Sequence, residues 1–247
     1  MPIESIILLF ASGLLAGAVS AIAGGSGLIT FPVLLSIGLP PTVANATNFV
    51  SVLFGNVSAI PAYIQELRRQ QQLAIRMMVA GLGGGGIGSV LLVYSGDALF
   101  SDLIPWLIAL ATMLFALGDK AKTLFGRAAL NNQTLGYVLV FLVSIYGGYF
   151  GAGLGVVLLA TLSILGISNF HDANAIKNLT NSMIGLLGVL IYTVADLISW
   201  SHALVMVCGS TLGGYLGIKV SRWISQVWLS RAIIALGLGL SIYYFLQ

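Results

Sequence analysis

Ten apolar runs follow one another along this chain, at roughly residues 5–23, 28–37, 42–62, 76–95, 103–118, 134–150, 155–166, 173–195, 199–218 and 228–246, with most charged residues at the joints between them. At a rise of about 1.5 Å per residue, a helix of about 20 residues crosses a hydrocarbon core of about 30 Å, and most of these runs reach that length. Only 7% of the 247 residues are charged and 58% are hydrophobic, against roughly a quarter charged in soluble domains. A surface so poor in charge needs lipid as its solvent, so the chain reads as an all-α polytopic membrane protein. The net charge of +3 gives no reason to expect a nucleic-acid partner. Residues 1–23 have the length of a signal peptide but begin Met-Pro-Ile-Glu-Ser, without a basic leader, and are read as a retained helix. Cys208 is the one cysteine, so no intrachain disulfide can form; inside an apolar run it is expected to be a small buried packing residue.

Two runs, 28–37 and 155–166, are too short to cross. Each follows a glycine cluster: Gly24-Gly25-Ser26-Gly27 in one half, Gly151-Ala152-Gly153-Leu154-Gly155 in the other. Other residues recur at a matching interval. Ala44 and Ala173, Gly84 and Gly213, Gly85 and Gly214, and Gly88 and Gly217 are 129 apart; Gly27 and Gly155, and Gly38 and Gly166, are 128 apart; Asn48 and Asn178 are 130 apart. This spacing predicts a duplication, residues 1–125 and 126–247.

Basic residues set the expected orientation. The joints with Arg68, Arg69 and Arg76, with Lys120, Lys122 and Arg127, and with Lys219, Arg222 and Arg231 are expected to be cytoplasmic, and those near Asp97–Asp102 and Asp196–His202 external. Counting crossings back from the third basic joint makes residues 167–172 cytoplasmic. Residues 119–133 are cytoplasmic too, so 134–166 must enter and leave on one side, as a re-entrant hairpin of helix, glycine turn and half-helix. If 5–37 is the same unit, each repeat is one hairpin plus three transmembrane helices. Three crossings per repeat invert the second copy: the two glycine turns enter from opposite faces and meet near the midplane, with both termini external.

A glycine turn at membrane depth survives only where protein or a wet cavity satisfies its backbone. The half-helices beginning near Leu28 and Gly155 aim N-terminal amides at that place, and helix N-termini attract anions. Lys177 lies in the polar stretch Asn174–Asn181, inside an apolar helix. Three readings stand for it: snorkelling to the cytoplasmic interface, pairing with Asp172, or facing the cavity to hold an anion. Asn174, Asn178 and Asn181 share a face with helical spacing; Thr47 and Asn48 are the neutral hydrogen-bonding groups of the matching stretch Asn45–Ser51. The small-xxx-small spacings of Gly81–Gly88 and Gly209–Gly217 predict helix-packing faces. Trp106, Trp200, Trp223 and Trp228 read as interface anchors, and His171 and His202 as interfacial. No Cys, His or carboxylate cluster suggests a metal, no cofactor motif is present (the Gly-Ala-Gly-Leu-Gly run lacks a strand–helix context), and no hydrolytic constellation marks an enzyme.

The segment Ala23–Asn48, a glycine run, an apolar half-helix, a Gly-Leu-Pro turn and Ala-x-x-Thr-Asn, resembles the first signature of the sulfite exporter TauE/SafE family of membrane permeases. Tyr146–Gly155 followed by Asp172–Asn181 is similar to its second, and the resemblance covers essentially the whole chain. It implies transport of a small anion, often a sulfur compound such as sulfite or an organosulfonate, by two duplicated halves. Gly24, Gly25, Gly27, Thr47, Asn48, Gly151, Gly153, Gly155, Lys177 and Asn178 fall on the motifs. Ser26 interrupts the glycine run, and Asn48 stands where many relatives have Ser. With Ser26 and Asn181 added from the residue reading, these form the expected substrate site.

The expected function is therefore secondary transport of a small anion by alternating access in the inner (plasma) membrane, with the lipid bilayer and the anion as partners. A coupling proton and a homodimer are further expectations, although no carboxylate lies deep in a span to relay protons. A passive anion channel and a non-catalytic scaffold subunit are the rival classes.

Overall fold

A computed structural model describes residues 1–22, 24–125, 133–167, 169–220 and 226–246. Ala23, Arg127, Ser168, Arg222 and Trp223 lie outside the described residues, and Lys120, Lys122 and Trp228 are described in backbone only. The described chain is helical, with no strand: α1 (Ile3–Ile22), α2 (Gly27–Ser36), α3 (Pro41–Val57), a 3-10 turn (Ile60–Tyr63), α4 (Ile64–Arg69), α5 (Gln71–Phe125), α6 (Gln133–Tyr149), α7 (Leu154–Ile164), α8 (Phe170–Val194), α9 (Trp200–Val220) and α10 (Gln226–Phe245).

Among the described residues three helices are long and apolar enough to cross a membrane: Ile3–Ile22, Phe170–Val194, and the stretch Gln71–Leu114 within α5. The last is two arms broken at Gly96, whose φ of +66° and ψ of 173° no helix continues through. The apolar run 42–62 is less regular than its composition predicts: it ends as a helix at Val57 and reaches Arg69 only through a bend of 41°. Helix α2, with 10 residues, is about 15 Å long and cannot span.

Local chemistry places the helix ends. Pro41 opens α3 at a position where its missing N–H is not needed, and Asp97 Oδ1 accepts from Thr42 N and Oγ1 at 3.0 and 2.7 Å. This bond holds the start of α3 beside the Gly96 break. The Asn169 side chain caps α8, accepting from the amides of His171 and Asp172. Both half-helices stop with the same Schellman pair: Gly38 N donates to Leu35 O and Leu39 N to Leu34 O, while Gly166 N donates to Ser163 O and Ile167 N to Leu162 O.

Two glycine-lined seams hold the long helices together. Helix α1 packs on α9, and the first arm of α5 packs on α6 and α8. On the first seam, Gly213 lies against the Leu14 carbonyl and Gly217 against Ala18; on the second, Gly84 lies against the Phe141 carbonyl and Gly88 against the Ile145 carbonyl. A Cβ at any of these would strike backbone, so the small-residue spacings act as packing faces. Around the outside, large apolar side chains such as Val79, Trp106, Leu142, Leu204 and Leu238 are exposed, as a lipid-facing surface requires. Cys208 corrects an expectation: it lies on the exposed side of α9, not in the packed interior. In an apolar helix both faces are greasy, and composition does not tell a lipid-facing cysteine from a core one.

Candidate functional site

The chain breaks twice in the middle of apolar sequence, and the two breaks touch. Helix α1 ends with Gly24 N bonded to Val19 O at 3.0 Å, and α6 ends with Gly151 N bonded to Tyr146 O at 3.3 Å. Gly24, Gly25, Gly151 and Gly153 all have positive φ, between 76 and 92°, a region where a side chain costs roughly 1–2 kcal/mol. The backbones then meet: a Cβ on Gly24 would lie 2.6 Å from the Gly155 Cα, and one on Gly155 2.7 Å from the Gly24 Cα. Helices α2 and α7 begin directly after these breaks, and most of their first-turn amides are bonded within them: Leu28 N donates to Gly25 O and Ile29 N to Ser26 O, as Leu154 N does to Gly151 O and Val156 N to Gly153 O.

A small cavity of about 30 Å³ opens beside it. Gly25, Ser26, Asn48, Gly151, Gly155 and Asn181 line it together with Ser20 and Phe49. Three further expected residues adjoin it. Gly24 touches Gly155, Gly27 packs against Ala152 and the Asn48 amide, and the Lys177 Cδ lies beside Gly155. Gly153 supplies the left-handed residue that starts α7. Thr47 is brought elsewhere: its Oγ1 accepts from Ser199 N at 3.0 Å, at the start of α9.

Lys177 is fully buried, and its Nζ donates to the Ser20 carbonyl at 2.9 Å. It does not snorkel. Nor does it pair with Asp172, whose carboxylate takes Arg69 and, at 3.2 Å, Gln70 Nε2. Among the described residues no carboxylate forms an ion pair with Lys177, and a buried cation left with one neutral acceptor is costly. Other buried polar side chains are also incompletely satisfied. Both side-chain atoms of Asn178, and the Oδ1 atoms of Asn45, Asn174 and Asn181, are buried without a hydrogen-bond partner among the described residues. A buried group in that state costs about 1–3 kcal/mol. Most of these unpartnered atoms are amide oxygens, and the Asn178 Nδ2 is the one donor among them.

Several hydrogen bonds that matter here were not readable from the sequence. Asn45 Nδ2 donates to Tyr149 O at 2.9 Å, and Asn174 Nδ2 to Ile22 O at 3.3 Å. Tyr146 Oη donates to Ala152 O at 2.6 Å across the second break, and Thr30 Oγ1 donates to Asn48 Oδ1. The polar residues were visible as residue types; their partners, more than 100 positions away in the case of the two asparagines, were not. Among the described residues no group of His, Cys, Asp and Glu could hold a metal.

Long apolar helices packed through glycine seams around two buried half-helices define a multi-pass helical membrane protein. The model of the sulfite exporter TauE/SafE family matches residues 9–244, and the chain belongs to this family of membrane transporters. Its relatives include a probable membrane transporter protein of Haemophilus influenzae, 29% identical over 88% of this chain and 86% of that one. A second, the probable membrane transporter protein ORF9 of a Sinorhizobium species, is 30% identical over 85% of this chain and 81% of its own. The Escherichia coli probable membrane transporter protein YfcA is 28% identical over 86% and 79%. No solved structure matches the chain.

Proposed function

We propose that this protein is a secondary transporter that moves a small anion, a sulfur oxyanion or organosulfonate of the sulfite type, by alternating access. The observation that carries the reading is the contact of Gly24 with Gly155 beside the buried Lys177. Two helix N-termini and one ammonium around a small cavity supply the positive potential and donors that a desolvated anion needs. Lys177, Ser26, Asn48, Asn178, Asn181 and the glycines of both breaks hold the anion; Thr47 supports α9 instead.

An inverted repeat of residues 1–125 and 126–247 is part of the proposal. Supporting it, the two glycine breaks, the two Schellman ends and the Asn45 and Asn174 bonds recur in matching order. The crossed seams, α1 on α9 and α5 on α6, are those expected if each hairpin packs on the other repeat. Contacts at the basic joint support the re-entrant reading of α6 and α7. Arg76 bonds Tyr137 near the start of α6, Gly136 packs on Leu165 near the end of α7, and Arg69 pairs with Asp172 at the start of α8. With that joint cytoplasmic, the protein sits in the inner membrane with its hairpins rocking about the central contact.

The test is flux into liposomes holding only the purified protein, with labelled sulfite under an imposed proton gradient. Accumulation above the outside concentration is expected. Flux that only equalises the two sides makes the protein a passive channel, and no flux of any sulfur anion leaves the scaffold reading.

A further inference from the structure

A cluster of arginines lies apart from the central cavity, at the ends of α4, α5, α6 and α7. Arg68, Arg69 and Arg76 line a hollow of about 590 Å³ together with Tyr137, Leu165, Ile167 and three consecutive glutamines, from Gln70 to Gln72. The three arginines are exposed, but two are held in place. Asp172 binds Arg69 and raises its pKa, which keeps it cationic. Arg76 Nη1 donates to Tyr137 Oη at 3.1 Å, with its guanidinium 5.9 Å from that ring. Acidic groups do not balance the cluster: Asp172 is engaged by Arg69 and Gln70, and Glu66 is the other carboxylate near Arg69.

The hollow opens onto lipid-facing surface. From Arg76, exposed Val79 follows on α5; from Tyr137, exposed Val138 and Leu142 follow on α6. These two helices pack along the seam of Gly84 on Phe141 and Gly88 on Ile145. A polar, cationic mouth thus continues into an apolar strip along two adjacent helices.

We infer that this hollow is a binding site for an anionic phospholipid, whose phosphodiester sits among Arg68, Arg69 and Arg76 and whose acyl chains lie along the exposed strip of α5 and α6. A scattered basic loop would attract anionic lipid only through the surface potential. Here two arginines are oriented by bonds of their own, amide and phenol donors share the wall, and aliphatic side chains begin within one turn. A zwitterionic lipid has the same chains, but its ammonium would oppose the arginines. A soluble phosphate has the charge and nothing for the strip.

The experiment uses the purified full chain in a neutral detergent, with lipid binding read by native mass spectrometry and thermal shift. The probes are dioleoyl phosphatidylglycerol, dioleoyl phosphatidylcholine and glycerol 1-phosphate. Phosphatidylglycerol should bind more tightly than phosphatidylcholine and raise the melting temperature; glycerol 1-phosphate should do neither. The double variant Arg68→Gln, Arg76→Gln removes two cationic contacts and should weaken phosphatidylglycerol binding by about thirtyfold. Arg68→Lys, Arg76→Lys should keep most of it. Equal binding of the two lipids by the parent protein overturns the proposal without recourse to any variant. So does a preference that survives the double glutamine variant, or a shift with glycerol 1-phosphate equal to that with phosphatidylglycerol, which would make this a site for free phosphate. None of these readings depends on transport activity.

Discussion

Asn45 and Asn174 make the same hydrogen bond in opposite directions. Asn45, one turn into α3, donates to the carbonyl of Tyr149 at the end of α6; Asn174, one turn into α8, donates to the carbonyl of Ile22 at the end of α1. In the proposed repeat, each ties one half's third helix to the other half's hairpin, at the end of the helix that precedes the glycine break. The two residues are 129 apart, and that interval matches Asn48 with Lys177 rather than with Asn178. Under the proposed repeat, the place of an amide in one half is taken by an ammonium in the other, and the proposed site would be charged from one side only.

Asn45→Ala and Asn174→Ala should therefore cost similar amounts of stability, about 0.6–1.7 kcal/mol each, the range for interhelical bonds in membranes. Reversible unfolding in mixed micelles measures it. A large loss for one and none for the other would contradict the equivalence.

The glycine contact makes a sharper steric prediction. Gly155→Ala places a methyl 2.7 Å from the Gly24 Cα, a backbone atom that cannot turn aside as a side chain would. Strain of about 1–3 kcal/mol is expected, with flux falling more than expression. Gly239→Ala, where nothing lies within 4 Å, should leave both intact and slightly favour the helix. Comparing the two variants by thermal shift and flux checks the claim; equal behaviour would mean the breaks separate freely.

Sidedness follows from the Arg69–Asp172 pair. In a Cys208→Ala background, Gln71→Cys and His171→Cys should react with an impermeant maleimide from the same face, and Ala98→Cys and Ser201→Cys from the other. Labelling of His171→Cys together with Ala98→Cys would remove the re-entrant hairpin of α6 and α7.

Much of this arrangement was legible in the chain. Glycine clusters before two short apolar runs marked the breaks, because lipid tolerates bare backbone only where protein covers it. The spaced glycines of α5 and α9 marked the seams for the same kind of reason: only they let backbones touch. What stayed hidden was pairing at long range. Asp172 could be matched with Lys177, five positions on, but not with Arg69, 103 positions back. Thr47 looked like a site residue by type, yet its direction on α3 takes it to Ser199. Cys208 failed for another reason, that apolar periodicity carries no face when both lipid and core are apolar.

The central claim is that Lys177 supplies the full positive charge of an anion site, and substrate binding to purified Lys177→Met beside the parent tests it most directly. Methionine keeps the apolar stem that packs beside Gly155 and removes a buried charge that is costly to insert, about 2.5–3.5 kcal/mol at a helix centre, so the variant should fold at least as well. Sulfite affinity should fall about ten- to a hundredfold, the loss of a charge-assisted hydrogen bond of about 1.5–3 kcal/mol. Lys177→Arg should restore part of it, since the charge returns in a bulkier, planar form. If Lys177→Met binds sulfite as tightly as the parent, the ammonium serves only its bond to Ser20, and the account of the site is wrong.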